Sequence, residues 1–263
     1  MTNIPTFVLT LENRIDRQES VKRLLKEVDL DFKFIFSSKT DNSKFNAMSK
    51  TTQIEVAIWD SHIRAMRAML DTESNWCLIL EDDFEIKESG KFFLKNRNNI
   101  DLILENLEPF YSIFQIGSLE NTYSLRSSYI LSRIYRAIFR SNRFDFISHL
   151  KNSRYMSYNK RTNVNKILKK CGLNKTKILF GLRLGTHAYY INREAASKLI
   201  NIFENRDADP NFMTIDQYLL KVTINLDDNP ILYACRLSRS IVSQSASPSD
   251  NVNRTPVALL ERK

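Results

Sequence analysis

Trp76-Cys77-Leu78-Ile79-Leu80-Glu81-Asp82-Asp83 is an unbroken apolar run closed by three acids. Five consecutive apolar residues are too few for a globular helix and read as a strand covered on both faces. Acids at its carboxyl end fall where ligands gather in open α/β sheets. If the extended conformation continues through them, the two-residue period turns Glu81 and Asp83 to one side and Asp82 to the other. Two carboxylates at one spot repel unless a cation joins them. Hard oxygen donors select Mg²⁺ or Mn²⁺, with phosphate oxygens of a substrate completing the shell. A solvated turn after a buried strand accounts for the same triplet without any ion.

Outward from this run the chain alternates strands and helices. Thr6 to Thr10 reads as a short buried strand, Glu12 to Arg17 as a polar loop, and Glu19 to Val28 as a helix with Val21, Leu24, Leu25 and Val28 on one face. Phe32 to Phe36 is a further strand and Ser37 to Thr51 a polar loop. A strongly periodic helix follows from about Gln53 to Leu70, with Ile54, Ile58, Ala65, Met66 and Met69 as its apolar stripe. Beyond the acids come a helix near Ile100 to Leu107, a strand over Tyr111 to Ile116, a strand at Ala188 to Ile191 and a helix from Arg193 to Phe203. A short helix near Ile215 to Val222 and a strand at Ile231 to Cys235 follow, and the Ser/Pro/Asn-rich tail from Ser243 is expected to be mobile. This order predicts an α/β fold, a Rossmann-type mixed sheet with helices on both faces.

Composition narrows the function classes. With 263 residues, 43% hydrophobic and 26% charged, the chain can bury a core without disulfides, and it is expected to form one domain. Cys77, Cys171 and Cys235 lie too far apart in sequence for a C-x-x-C pair, which favours a reducing compartment. The first residues lack the pattern of a signal peptide, and no apolar run approaches a membrane span, so a cytoplasmic location is expected. Glycine occurs only at positions 90, 117, 172, 181 and 185, which excludes a P-loop and a dinucleotide fingerprint. No G-x-S-x-G elbow or H-E-x-x-H helix is present.

The formal charge of +9 is unevenly placed, because Arg126 to Lys177 hold 14 Lys/Arg against the single acid Asp145. Within that stretch Arg133, Arg136, Arg140 and Arg143 recur at helical spacing beside Ile130, Leu131, Ile134, Ile138 and Phe139. A basic amphipathic helix of this kind suits an anionic membrane surface, although a core-packed helix with a solvated basic face gives the same pattern. Nucleic acid is not expected as a partner, since neither a zinc-finger spacing nor the aromatic octapeptide of an RNA-recognition sheet occurs. The acidic triplet alone also admits a metal-dependent phosphoesterase, and the basic stretch alone a non-enzymatic binding protein.

Three separated segments together resemble glycosyltransferase family 25, the bacterial lipooligosaccharide glycosyltransferases related to the collagen galactosyltransferases. They are Leu11-Glu12-Asn13-Arg14-Ile15-Asp16-Arg17; Glu55 with Ser61-His62, followed by Leu78 to Asp83; and Gly185-Thr186-His187-Ala188-Tyr189-Tyr190-Ile191 with Ile215-Asp216 and Val242-Ser243-Gln244. The stretch from about 120 to 180 matches no part of the family pattern and reads as a basic helical insertion. Ala57-Ile58 stands where the family has Gly-Cys.

The resemblance implies a GT-A-type fold and inverting transfer of a hexose, galactose or glucose, from a UDP-sugar to a lipooligosaccharide or other glycan acceptor. On that basis Glu81 and Asp83 are the expected metal ligands, and Asp82 orients them or the ribose. Asn13, Arg14, Arg17, Ser61, His62, His187 and Gln244 are expected donor-site residues, Arg14 first among them because guanidinium suits phosphate. Ser247 and Ser249 join Gln244 as a tail that closes over the donor. Asp216 fits two roles, the base that activates the acceptor hydroxyl or a first-turn acid favoured by the helix dipole. Asp16 with Arg17 reads equally as a local ion pair and His62 equally as a satisfied core histidine, while His187 fits a third metal ligand, a diphosphate contact or, slightly better, a core histidine. The implied setting is cytoplasmic, peripheral on the inner face of the bacterial inner membrane.

Overall fold

In the computed structural model, residues 4–37, 50–118, 158–180, 182, 185, 187–205, 214–223 and 232–244 are described. The basic stripe Arg133, Arg136, Arg140 and Arg143, the loop after Ser37, and Ser247 and Ser249 lie outside the described residues.

The chain builds one mixed sheet. Its strands are β1 (Thr6–Thr10), β2 (Lys33–Phe36), β3 (Trp76–Glu81), β4 (Phe84–Ile86), β5 (Ile113–Gly117), β6 (Ile178–Phe180), β7 (Ala188–Asn192), β8 (Ala234–Leu237) and β9 (Val242–Gln244). The order is β2-β1-β3-β7-β5-β8-β6, with β4 paired to β9 and β9 also to β5. β1 is parallel to both β2 and β3, and β5 is parallel to β8, whereas β7 runs antiparallel between β3 and β5.

Helices α1 (Ile15–Glu27), α2 (Lys50–Leu70), α3 (Glu88–Lys95), α4 (Arg97–Leu107), α5 (Tyr158–Lys170), α6 (Arg193–Glu204) and α7 (Ile215–Thr223) cover the sheet. Strand alternation decides which face each covers. Val8, Leu78, Leu80, Phe114 and Tyr190 pack with Val21 and Leu25 of α1, Phe93 of α3, Ile103 and Leu104 of α4 and Leu168 of α5. Phe7, Leu9, Cys77, Ile79, Tyr189 and Ile191 pack with Trp59, Ile63 and Met66 of α2, Leu199 of α6 and Leu219 of α7. The helices therefore lie on both faces, as the alternation of elements predicts.

From β1 the chain passes over one face through α1 to β2, then returns over the other face through α2 to β3 on the far side of β1. That reversal opens a crevice between the carboxyl ends of β1 and β3, the place where doubly wound sheets bind ligands. Thr10 and the acidic triplet stand at its rim.

Several boundaries differ from the sequence reading. α1 begins at Ile15, inside the expected loop; its N-cap, Arg14, makes no side-chain cap bond, so no capping signature marks the start. The Gln18 side-chain amide instead donates to the Leu11 and Glu12 carbonyls. On α2, Ile54 is exposed, and Val56, Trp59 and Ile63 are buried where it was expected to be. α3 and the short pair β4/β9 are additional elements. Residues 178–180 form β6, a further additional strand, paired antiparallel with β8.

The end of α2 is held by α6. Arg193 donates to the carbonyls of Leu70, the last residue of the helix, and of Thr72 and Ser74 just past it, satisfying acceptors that have no intrahelical donor. The Asn192 side chain caps α6 by accepting from the Ala195 N–H. Among the described residues no helix is long and apolar enough to cross a membrane.

Candidate active site

β3 delivers its acids to opposite faces of the rim. Glu81 continues the Cys77 and Ile79 face toward α2, and Asp83 joins it after the turn. Asp82 continues the Leu78 and Leu80 face toward α1. In the parallel register Leu9 lies opposite Glu81, which brings Thr10 beside Asp82.

On the α1 face, the Thr10 hydroxyl donates to Asp82 Oδ2 at 2.6 Å and Arg17 Nη1 donates to Oδ1 at 2.8 Å. Both partners of this ion pair are only 10% exposed. Arg17 and Asp82 were expected at the donor; here they hold each other and join α1, β1 and β3. Arg14, not Arg17, makes the local pair, its guanidinium forking onto both oxygens of Asp16 at 3.0 and 2.9 Å. That fork holds the Asp16 carboxyl down at about 2. Asn13 is exposed on the loop between β1 and α1.

On the α2 face, β7 meets β3 antiparallel with Leu80 opposite Ala188, and the Glu81 N–H donates to the His187 carbonyl. The side chains of Glu81 and His187 thereby share the rim, with Nδ1 of His187 3.0 Å from Glu81 Oε2 and 3.8 Å from Asp83 Oδ1. Glu81, Asp83 and His187 each offer a ligand atom within 4.8 Å of the others. Gln244 donates to Asp83 Oδ2 at 2.9 Å. It does so from β9, opposite Phe84 of β4, so Gln244 belongs to the sheet and not to a mobile tail.

Behind this cluster His62 is fully buried on α2, with Nδ1 2.7 Å from the Tyr189 hydroxyl and Nε2 3.8 Å from Glu81 Oε1. Ser61 is buried beside it and donates to the Ile58 carbonyl of its own helix. Asp216, in the first turn of α7, accepts at Oδ2 from the Gly185 N–H at 3.0 Å. Gly185 has φ +87°, a left-handed conformation that glycine adopts without strain, and its carbonyl accepts from Gln115.

Electrostatics follow from this crowding. Burial pushes Glu81 above its ordinary range, with the charges of Asp216 and Asp83 acting in the same direction against His187. Burial works to lower His187, but Glu81 and then Asp83 and Asp216 outweigh it and hold the imidazole at about 9. Burial, with the charge of His187 acting in the same direction, drops His62 to about 3, so its ring is neutral.

Raised native pKa values contribute stability at low pH that is lost as pH rises. For His187 that loss runs from its unfolded value near 6.5 to its native value of about 9, and for Glu81 it begins at 4.5. Metal-free protein is thus expected to lose about 2–3 kcal/mol of unfolding free energy between pH 6.5 and 9. Urea titrations in EDTA at the two pH values measure it, and Glu81→Gln is expected to flatten the difference.

The cluster suits a divalent cation. Asp83 Oδ1 and His187 Nε2 are buried and make no hydrogen bond among the described residues. Two carboxylates with one imidazole form a donor set that Mn²⁺ tolerates better than Ca²⁺ does. Thr10, Gln115 and Tyr189 were not among the site residues expected from the sequence. Tyr189 carried a signal, since it stands two residues after His187 and so shares its face of β7.

Comparison with known proteins agrees with the resemblance. No match was found among curated protein sequences. A solved glycosyltransferase involved in the glycosylation of the major capsid of PBCV-1 is similar over 94% of each chain, with 10% identity and a TM-score of 0.47. The sequence profile of glycosyltransferase family 25 (LPS biosynthesis protein) matches residues 3–219, and the chain belongs to that family.

Proposed function

We propose that this glycosyltransferase moves a hexose, galactose or glucose, from a UDP-sugar to a lipooligosaccharide or other glycan acceptor with inversion, assisted by Mn²⁺ or Mg²⁺, on a GT-A-type fold. The observation that carries the reading is the convergence of Glu81, Asp83 and His187 at the rim of the β1/β3 crevice. These three residues would hold the ion. When bound there it supplies positive charge for the diphosphate that leaves.

The remaining work falls to the protein. Arg14, half-buried at the crevice mouth, exchanges Asp16 for a donor phosphate, as a guanidinium fork can. Asp216 accepts the proton of the acceptor hydroxyl as its oxygen bonds to the anomeric carbon, while the bond from that carbon to the diphosphate oxygen breaks with its electrons. The Gly185 N–H holds one Asp216 oxygen and so orients the carboxylate. The whole chain acts as one catalytic domain with a basic insertion. Its stripe Arg133, Arg136, Arg140 and Arg143 docks on the anionic cytoplasmic face of the membrane where the acceptor lipid resides.

The test is nucleotide release from a panel of UDP- and CMP-sugars, with truncated lipooligosaccharide as acceptor, in Mn²⁺ or EDTA. Turnover of UDP-galactose or UDP-glucose that requires the metal is expected. Equal rates in EDTA contradict the metal-assisted mechanism.

A further inference from the structure

We propose that His62 is a positioning residue for Glu81: Tyr189 donates its hydroxyl proton to Nδ1, which fixes the Nε2–H tautomer and aims that N–H at the Glu81 carboxylate. The inference rests on the cation reading above. It concerns how the protein prepares one ligand, not which residues are ligands.

His62 is fully buried, and an imidazole closed off from water stays neutral, with a single N–H on its ring. Nδ1 lies 2.7 Å from Tyr189 Oη, and the two rings stack 5.8 Å apart with 20° between their planes. One tautomer donates from Nδ1 to the tyrosine oxygen and leaves the Nε2 lone pair facing Glu81 Oε1 across 3.8 Å. With the cation bound Glu81 is a carboxylate, and a lone pair held against it in a buried space is repulsive. The other tautomer accepts from Tyr189 and presents Nε2–H to the acid, where donor meets acceptor.

Nε2 of His62 makes no hydrogen bond among the described residues, and the partner within reach is Glu81. A small approach of Glu81 closes the 3.8 Å gap to hydrogen-bond length. The acid would then hold its second oxygen toward His187 and the cation. Carboxylate ligands oriented by such hydrogen bonds lose ten- to a hundredfold in metal affinity when the supporting group is removed. Glu81 sits on β3, His62 on α2 and Tyr189 on β7, so the bond links three elements that the chain brings together from far apart.

The full chain with Mn²⁺ alone as probe tests this by calorimetry. Asn at position 62 reaches only as far as Nδ1, and Gln reaches the place of Nε2 with an N–H. His62→Asn is expected to weaken the Mn²⁺ Kd about tenfold or more, and His62→Gln to stay within about threefold of wild type. A purely structural role predicts equal losses for both. A long-range ¹H–¹⁵N spectrum of the wild-type protein reads the tautomer without any variant. The sequence holds only His62, His149 and His187, and the signal absent from His62→Asn is assigned to His62.

A protonated Nε2 with the Asn/Gln split supports the proposal. A protonated Nδ1, or His62→Asn that binds Mn²⁺ like wild type, overturns it and leaves the cation reading standing. Wild-type protein that takes up no Mn²⁺ overturns both.

Discussion

Asp83→Asn is expected to abolish the dependence of turnover on Mn²⁺ and to lower UDP release by about a hundredfold or more, with little change in thermal stability. The expectation comes from what the substitution keeps. Asparagine has the same shape, and its carbonyl oxygen can still accept from Gln244, which now reaches Asp83 Oδ2 at 2.9 Å. The β4/β9 pairing is therefore retained. What disappears is one of two negative charges, together with the oxygen Oδ1 that has no hydrogen-bond partner among the described residues. Removing one preorganised electrostatic contributor to a transition state typically costs 10²–10³ in rate. Calorimetry with Mn²⁺ and single-turnover UDP release report the two losses separately. A variant that keeps both metal affinity and rate would remove Asp83 from the mechanism.

Asp82→Ala is expected to do the reverse, acting first on the fold. Both of its oxygens are engaged, one by Thr10 and one by Arg17, in surroundings nearly closed to water. Deleting the acid removes the carboxylate that Arg17 meets at 2.8 Å, and breaking a buried pair from one side costs about 3–5 kcal/mol. For a chain of this size, each kcal/mol is worth roughly 2–4 °C, so a fall in Tm of about 6–20 °C is expected. The double variant Arg17→Met with Asp82→Leu is expected to recover most of the loss, since matched apolar replacement of a buried pair is often neutral. Scanning calorimetry on the single and double variants decides this. A stable Asp82→Ala protein with impaired donor binding would return Asp82 to the donor site.

The two acids differ because of strand parity, and that part was legible in the sequence. The apolar run before Glu81 announced a buried strand, and a period of two separates residues 81 and 83 from residue 82. The partners were not legible. Arg17 is 65 positions from Asp82, and only the β1/β3 register brings Thr10 beside it. His187 was named for its motif, but its place opposite Glu81 depends on β7 running antiparallel between β3 and β5, which no local pattern encodes.

β4 and β9 were missed because three residues cannot establish a period, and Ser243-Gln244 reads as the start of a polar tail until β9 pairs with Phe84, Glu85 and Ile86. The start of α1 was placed late for a related reason. Its first turn is fixed by Gln18 bonds to preceding carbonyls and by Arg17 reaching another strand, not by a capping residue. On α2 the stripe was drawn through Ile54, whereas Trp59 packs against Phe203 and Tyr218 and sets the buried side.

The alternation along β3 also limits how such an enzyme can diversify. Exchanging one acid for another leaves reagent and scaffold on their own sides of the sheet. Adding or deleting a single residue ahead of Glu81 would swap them, pressing the brace against α2 and the reactive groups against α1. Novel specificity must therefore arise by substitution here and by length variation elsewhere along the polypeptide.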